Sequence, residues 1–226
     1  EFATMHVDNC VKVDETVPMQ NAALVSCAVM TGVGAVFNTA KLEPGSRAAV
    51  FGIGGVGLNA IQGCVTAGAE MIVAVDSNPT KLAMAKEFGA THTVNINEVE
   101  DAAKAIKKMT GGVDYAFECV GAGPVVEQAY KSLGRGGTAV VVGVADEKDK
   151  TSLTTLTLPA DERTLKGSWL GSARPQHDFP RILGLYKAGK LKLDELVTRT
   201  YPIEEAAQAF DDMVAGKNAR GVIVFD

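Results

Sequence analysis

The sequence lacks any clustered run of lysine and arginine: its 22 basic residues are scattered among 27 acidic ones, which gives a formal net charge of −5. Nucleic acids and anionic membrane surfaces both attract a strongly basic face. This composition supplies no such face. We therefore expect neither a nucleic-acid partner nor a membrane partner.

Long apolar runs and a leader peptide are also missing from the sequence. The longest apolar stretches, such as residues 139–144, have the length of a strand and are far too short to span a membrane. Residues 1–4 contain neither the basic nor the apolar region of a signal peptide. A cytoplasmic location is therefore the expectation.

Cysteine and histidine are scarce, with four cysteines and three histidines in 226 residues. No CxxC pair occurs, which favours free thiols in a reducing compartment over a disulfide framework. The histidines are scattered, so no local cluster of His and Cys predicts a metal site. We expect Cys64 and Cys119 to be packing residues, and His92 and His177 to be surface residues.

Short apolar runs alternate with helical segments, and 46% of the residues are hydrophobic. Continuous apolar runs are typical of strands that are buried on both faces. The predicted strands are 48–52, 71–76, 93–96, 113–118, 138–143 and 164–169. The predicted helices are 55–67, 80–88, 98–109 and 124–133. This alternation predicts right-handed crossovers and an α/β fold with a six-stranded parallel, doubly wound Rossmann sheet.

Both ends of the chain differ from this pattern. Residues 1–28 begin like a strand and continue like a helix, while residues 171–226 show two helical spacings and finish on a predicted strand at 221–225. We therefore expect residues 29–170 to form the Rossmann domain. The two ends are predicted to belong to a second, incomplete domain.

The strongest motif is the glycine-rich hexapeptide 52–57, which follows a predicted strand and opens a predicted helix. In the GxGxxG pattern, Gly52 permits a tight turn and Gly54 lets the backbone approach a pyrophosphate. Gly57 allows close packing between the helix and the sheet. The first amides of the helix then face the phosphates. By itself such a motif can be a simple glycine-rich turn.

An acidic residue at the right distance strengthens the motif. Asp76 stands 19 residues beyond Gly57, at the end of the second predicted strand. A carboxylate there accepts hydrogen bonds from the adenosine ribose and repels a 2′-phosphate, so it favours NAD over NADP. The combination predicts a domain that binds NAD, and the alternative is a Rossmann domain that has lost its ligand.

Further segments carry a family pattern beyond the glycine motif. They are residues 25–35, 38–40, 44–46, 50–57, 112–118, 165–168 and 219–223. Through them the whole chain resembles the zinc-containing medium-chain alcohol dehydrogenases, especially the class III-like and aryl-alcohol members. The resemblance implies oxidation of an alcohol to an aldehyde or ketone by hydride transfer to NAD, with zinc in the full-length form. It also implies that the two ends are pieces of a GroES-like catalytic domain.

The resemblance assigns a metal role to Cys27, which stands in a Cys-x-x-x-Thr-Gly setting. This position matches one ligand of the catalytic zinc, and a thiolate suits Zn²⁺. From the residues alone, a buried small thiol is the commoner role of a cysteine. No residue of the chain is assigned a catalytic role with certainty, and Asp114 and Glu118 are assigned no role.

The resemblance also assigns residues to the cofactor and the substrate. Gly52, Gly54, Gly55, Val56 and Gly57 form the pyrophosphate turn. The other implied cofactor residues are Asp76 and Lys81 at the ribose, Thr31 at the nicotinamide, Val120 and Val144 at the adenine and nicotinamide ends, and Arg220 at the pyrophosphate. Trp169 falls where the family lines its substrate channel. The alternative roles are plain core for the valines, a solvated charge for Lys81 and Arg220, and interface packing for Trp169.

The sequence departs from the family because the remaining zinc ligands and the proton relay would lie upstream of residue 1. We therefore expect the chain to bind NAD(H) without turning over its small-molecule alcohol or aldehyde. A zinc-free quinone reductase-like enzyme and a non-catalytic NAD-binding module are the alternatives. Strand-like residues 153–158, with the strand at 164–169, lie where related enzymes join two sheets. They predict a homodimer or homotetramer through the edge of the Rossmann sheet.

Overall fold

The computed structural model of the chain describes residues 4–218 and 220–225. Its contacts group residues 29–173 into one compact unit, which we call the Rossmann unit. The described residues of the flanking segments, 4–28, 174–218 and 220–225, form a second compact unit, which we call the terminal unit. The assignment of the terminal unit to a GroES-like catalytic domain stays a prediction.

Helices and strands alternate along the chain. The α-helices are α1 (Met19–Leu24), α2 (Met30–Gly34), α3 (Gly55–Ala67), α4 (Pro79–Glu87), α5 (Ala102–Thr110), α6 (Gly123–Ser132), α7 (Thr157–Ala160), α8 (Pro175–Lys187) and α9 (Ala206–Val214). The strands are β1 (Arg47–Phe51), β2 (Met71–Asp76), β3 (His92–Asn95), β4 (Val113–Glu118), β5 (Leu133–Val141), β6 (Thr164–Gly167), β7 (Val197–Pro202) and β8 (Arg220–Val224). Two π-helical turns, Val25–Val29 and Ala35–Ala40, flank α2.

The Rossmann unit is built on a six-stranded sheet with the order β3-β2-β1-β4-β5-β6, in which every neighbouring pair is parallel. This confirms the predicted fold class. The central strands β1, β2 and β4 are largely apolar, and their residues Ala49, Val73 and Ala116 are fully buried. Burial on both faces is what continuous apolar runs predict. Ile106 of α5 and Tyr130 of α6 close the core on one side of the sheet.

Helices begin and end at capping residues that the sequence contains. Asn78 caps α4, because its side chain accepts hydrogen bonds from the backbone N–H groups of Thr80 and Lys81, and Pro79 occupies the first turn. Gly68 ends α3 in the left-handed conformation, with φ of +86°. Asn78 follows β2 and lies at the carboxyl edge of the sheet, where the candidate site lies, whereas Gly68 precedes β2 and lies at the amino edge.

Three local expectations are wrong. Residues 153–158 do not form a strand: they contain a turn followed by the start of α7. The N–H groups of Thr157 and Leu158 donate hydrogen bonds to the carbonyl groups three positions earlier. Among described residues 4–18 we find a short 3₁₀ turn at Val7–Asn9 in place of the strand-like start. Strand β5 begins at Leu133 instead of 138, although its early part is rich in glycine. Tertiary pairing with β4 outweighs local preference there.

One helical segment, Met19–Ala40, is long and apolar enough to cross a membrane by length and composition. It contradicts our expectation that apolar stretches have only strand length. In its most apolar window, 61% of the residues are buried inside the protein. A core helix of a soluble protein passes the same test, so the segment is weak evidence for a membrane span.

In the terminal unit, β7 and β8 form a parallel pair, and α9 is tied to them by a buried carboxylate. Asp212 is 1% exposed and accepts hydrogen bonds of 2.9 Å from Arg199, Tyr201, Gln208 and Lys217. The bond from Lys217, helped by that from Tyr201, lowers the pKa of Asp212 to about 2. The folded unit therefore stabilises the ionised form of the Asp212 carboxylate.

We expect this carboxylate to make the chain acid-sensitive. Asp212 titrates near 3.8 when unfolded and near 2 when folded, so its stabilising effect is complete above about pH 4 and is lost as the pH falls towards 2. Thermal unfolding followed by circular dichroism from pH 6 to 2 measures this. The variant Asp212→Asn should show a flatter pH dependence, whereas Asp211→Asn, at the exposed neighbour, should behave like the unaltered chain. Equal profiles for all three would contradict the assignment.

Candidate dinucleotide site

The glycine-rich turn adopts the geometry that its pattern predicts. Strand β1 ends at Phe51, and Gly52 follows with φ of +88°, a conformation that side chains other than hydrogen disfavour. The Gly52 N–H donates to the carbonyl of Val75 at 2.9 Å. A Cβ atom at Gly57 would lie 1.9 Å from the Gly52 carbonyl oxygen. Glycine is therefore required at 52 for the turn and at 57 for the approach of α3.

The middle of the turn faces open space. A Cβ atom at Gly54 would have no protein atom within 4 Å, and Gly54 forms the N-cap of α3 without a side-chain hydrogen bond. The N–H groups in the first turn of a helix have no intrahelical acceptor. Gly55 and Val56 lie in that first turn and are partly exposed. Free amides and the positive end of the helix dipole form a site that suits a phosphate.

Asp76 connects the turn to the second strand. Its Oδ2 accepts a hydrogen bond from the Ile53 N–H at 2.7 Å, and its Oδ1 accepts one from the Asn78 N–H at 2.9 Å. Each carboxylate oxygen can accept more than one hydrogen bond, so the group retains capacity for a ligand hydroxyl. Lys81 follows on the first turn of α4, beside the same opening.

A cleft of about 560 Å³ opens beside these residues. This volume falls in the range of small-molecule sites. One wall contains the glycine turn with Asp76 and Lys81, and Val120 contributes from the end of β4. The cleft lies outside the carboxyl ends of β1 and β4, where the strand order reverses, which is where open α/β sheets bind their ligands.

The opposite wall was not found by sequence reasoning. It is formed by Ile96, Val99, Glu100, Asp101, Ala102, Pro124, Val125 and Gln128. Its apolar members give the cleft an apolar lining on this side. Only Asp101 had a recognisable signal, because an acidic residue before a helical pattern indicates an N-cap, and its side chain accepts from the Lys104 N–H at 2.8 Å.

Several predicted site residues of the Rossmann unit do not line the cleft. Val56 and Thr31 are partly buried, while Val144 is 73% exposed and Trp169 is 79% exposed. Val120, in the cleft wall, is also exposed, at 53%. The plain-core alternative is therefore wrong for Val120 and Val144. The cofactor and substrate roles of these residues stay predictions.

Of the two cysteines that we expected to be packing residues, Cys64 is confirmed as one, whereas Cys119 lines the cleft. Cys64 is buried in α3 and Cys119 is partly buried just after β4. Burial raises the pKa of the Cys64 thiol, and burial together with the charge of Glu118 raises that of Cys119. Both thiols therefore remain protonated at neutral pH. This protonation disfavours a nucleophilic or metal-binding role.

Cys27 and Arg220 lie in the terminal unit. Cys27 is exposed, which excludes the alternative of a buried packing thiol, and it lies within the π-helical turn Val25–Val29. Such turns occur frequently at functional sites. The Arg220 Nε is buried and has no hydrogen-bond partner among the described residues. Burial lowers the pKa of the Arg220 guanidinium, and the nearby Cys27 opposes this effect.

The zinc ion that the resemblance implies does not fit the residues of this chain. Among residues 4–218 and 220–225, no group of three or more His, Cys, Asp or Glu side chains could hold a metal ion. A catalytic zinc takes three protein ligands, and the resemblance assigns only Cys27 of this chain to that role.

Comparison with known proteins relates the chain to dehydrogenases. Residues 55–188 match the zinc-binding dehydrogenase family. The chain is 41% identical over 229 residues to the NDMA-dependent alcohol dehydrogenase of Amycolatopsis methanolica, covering 99% of this chain and 61% of that protein. It is 39% identical over 222 residues to the S-(hydroxymethyl)glutathione dehydrogenase of Paracoccus denitrificans, covering 95% and 59%.

A solved structure shows the same fold. The benzyl alcohol dehydrogenase of Acinetobacter calcoaceticus superimposes with a TM-score of 0.93 at 33% identity, over 97% of this chain and 60% of that one. The chain therefore spans about three-fifths of the length of the relatives that it matches. The matched family covers more than half of the sequence, including the glycine turn from Gly55 onwards. The chain belongs to the zinc-binding dehydrogenase family.

Proposed function

We propose that the Rossmann unit binds NAD(H). The single observation that carries this proposal is the position of the Asp76 carboxylate. It accepts the Ile53 N–H from the glycine turn and lines the cleft at the point where the strand order reverses. If the two hydroxyl groups of the ribose donate hydrogen bonds to this carboxylate, the pyrophosphate would extend towards Gly54 and the free amides of α3.

The remaining parts of the cofactor are assigned to residues as follows. The adenine ring would occupy the apolar slot between Val120 and the wall formed by Ile96, Val99 and Val125. Lys81 would donate to the ribose. The family resemblance is the basis for assigning Arg220 to the pyrophosphate. The proposal further assigns Thr31 and Val144 to the nicotinamide and Val56 to the coenzyme wall.

NAD is proposed in preference to NADP because the cleft is acidic. Asp76, Glu100 and Asp101 line it, and Lys81 is the basic residue beside them. A 2′-phosphate adds up to two negative charges beside the carboxylate of Asp76, and like charges at close range repel.

For the whole protein, we propose oxidation of a small-molecule alcohol to an aldehyde or ketone. The nicotinamide supplies the hydride acceptor when it is bound, and the residues above orient it. The zinc implied by the family name would need ligands in addition to Cys27. Trp169 is proposed to line the substrate channel. The chain by itself is expected to bind NAD(H) without turnover, and it is proposed to be cytoplasmic.

Trp169 provides the experiment, because it is the single tryptophan of the sequence and lies in the Rossmann unit. Titration with NADH should quench its fluorescence and produce energy transfer to the bound nicotinamide. NADPH should bind about tenfold more weakly or worse, because the 2′-phosphate is repelled by the carboxylate of Asp76. If isothermal calorimetry shows that neither NADH nor NADPH binds, the proposal is contradicted.

The homodimer or homotetramer stays a prediction. Strand β6 is an edge strand of the sheet, and its Leu165 is 40% exposed. Exposed apolar edges invite pairing with a second chain. Analytical ultracentrifugation of the chain tests this, and sedimentation as a monomer at micromolar concentration would count against it.

A further inference from the structure

Glu118 is a buried carboxylate in the interior of the Rossmann unit. It is the last residue of β4, and its side chain is fully buried. Its Oε2 has no hydrogen-bond partner among the described residues. Burying a carboxylate is costly unless the group makes strong hydrogen bonds, so its position requires an explanation.

The other carboxylate oxygen organises the turn that follows β4. Glu118 Oε1 accepts hydrogen bonds of 2.7 Å from the N–H groups of both Val120 and Gly121. The backbone oxygen of Glu118 accepts from Val142 at 2.8 Å and from Gly143 at 3.0 Å, at the end of β5. One residue therefore holds the turn after β4 and joins it to the end of the neighbouring strand.

The turn after β4 and the segment that follows β5 are in close contact where they cross. Gly121 has φ of +86°, and a Cβ atom there would lie 2.5 Å from the Val144 carbonyl oxygen. A Cβ atom at Gly143 would lie 2.1 Å from the Gly121 nitrogen. The hydrogen bonds from Val120 and Gly121 to Glu118 therefore act on a turn that is packed closely against residues 143 and 144.

Residue 120 in turn meets the glycine turn. A Cβ atom at Gly52 would lie 2.5 Å from Val120 Cγ2, and Val120 also lines the cleft. The Cys119 N–H donates to the Phe51 carbonyl at 2.8 Å, which fixes the same turn against the end of β1. The wall of the cleft thus depends on a turn whose amides the carboxylate of Glu118 holds.

We propose that Glu118 is a positioning residue for the dinucleotide site: it holds the 119–121 turn so that Val120 forms the cleft wall against the glycine turn. This inference rests on the proposed function, since it concerns how the NAD(H) cleft keeps its shape. The carboxylate acts through Val120 and is itself too buried to touch a ligand.

The test compares Glu118→Leu with Glu118→Gln in the 226-residue chain. Leucine removes both acceptors, so the affinities for NADH and for 5′-AMP, a probe of the adenosine cleft alone, should each fall by roughly tenfold or more. Glutamine keeps an acceptor oxygen and should restore both affinities to within about threefold of the unaltered chain. Hydrogen exchange at the Val120 and Gly121 amides, measured without ligand, should accelerate in Glu118→Leu and be restored in Glu118→Gln.

Two further variants separate positioning from general stability. Asp178→Asn alters another nearly buried carboxylate, 2% exposed and located in the terminal unit, and should lower the Tm without changing either affinity. Gly121→Ala strains the same turn with Glu118 intact and should weaken binding as Glu118→Leu does. The latter keeps the test available if Glu118→Leu does not fold.

The outcomes are distinct. A folded Glu118→Leu or Gly121→Ala variant that binds NADH and 5′-AMP like the unaltered chain would overturn the positioning role. So would unchanged hydrogen exchange at Val120 and Gly121. Absence of NADH binding in the unaltered chain would overturn the proposed function, and the inference with it.

Discussion

Replacing Gly57 with alanine is expected to lower the Tm of the chain by about 6–12 °C. The added Cβ atom would lie 1.9 Å from the Gly52 carbonyl oxygen, where a backbone atom cannot yield as a flexible side chain can. Overpacking of this severity costs about 3 kcal/mol, which corresponds to that shift in a domain of this size. Thermal unfolding by circular dichroism or calorimetry measures the effect.

Gly54→Ala is the matched control for this prediction, since it adds the same methyl group three positions earlier in the chain. A Cβ atom there meets no protein atom within 4 Å, and the Gly54 φ of −89° suits alanine. The Tm should therefore change little. The affinity for NADH should fall by about tenfold, because the methyl group occupies the space through which the backbone approaches a pyrophosphate.

The two variants together test whether Gly57 allows the packing of α3 while Gly54 allows the approach of the pyrophosphate. If Gly57→Ala unfolds at the same temperature as the unaltered chain, α3 does not approach the glycine turn as closely as described. If Gly54→Ala keeps full NADH affinity, the pyrophosphate does not lie over that glycine. Loss of stability in Gly54→Ala would show that its open side is occupied in the folded protein.

Replacing Asp76 with alanine should weaken NADH binding by roughly 10- to 100-fold. The change removes the acceptor for the Ile53 and Asn78 N–H groups and the proposed acceptor for the ribose hydroxyls. Hydrogen bonds to a charged group contribute about 1.5–3 kcal/mol each, and each 1.4 kcal/mol is a factor of ten. The preference for NADH over NADPH should decrease at the same time, because one carboxylate no longer repels the 2′-phosphate.

Asp114→Ala is the matched control for the aspartate. Asp114 lies at the opposite, amino end of the sheet on β4, where it accepts a hydrogen bond from the Arg47 N–H at 2.8 Å. It does not line the cleft. Calorimetric titration of both variants with NADH and NADPH should show an effect for Asp76 alone. Equal loss in both variants would indicate that the aspartates act on folding, and unchanged cofactor preference in Asp76→Ala would exclude it as the selecting residue.

Much of the framework was predictable because its signals are local. An apolar run that ends in glycine, followed by a helical pattern, already predicts the turn at Gly52 and the start of α3. Asn78 and Pro79 predict the start of α4 for the same reason. The prediction for residues 153–158 failed because their alternation of apolar and polar residues also suits a turn that leads into α7. Short patterns of that kind do not distinguish a strand from a helical turn.

The candidate site was predictable only on one side. Asp76 was found because its distance from the glycine turn along the chain is set by one helix and one strand. Glu118 was assigned no role, since nothing in its local pattern shows that its carboxylate reaches forward to two amides. Glu100 and Gln128 were missed because they come from different crossovers and line the same cleft only in the folded chain.

The sequence by itself determined the fold class, the parallel sheet and the residues of the glycine turn, because periodicity, helix caps and glycine conformations depend on neighbours along the chain. Only the tertiary structure decided which side chains share the cleft, and that Glu118 lies buried beneath its wall. It also decided that Val120 and Val144 are exposed and that Cys27 lies on a π-helical turn. Those features depend on strand order and on packing between residues far apart in sequence, and no local pattern encodes such distances.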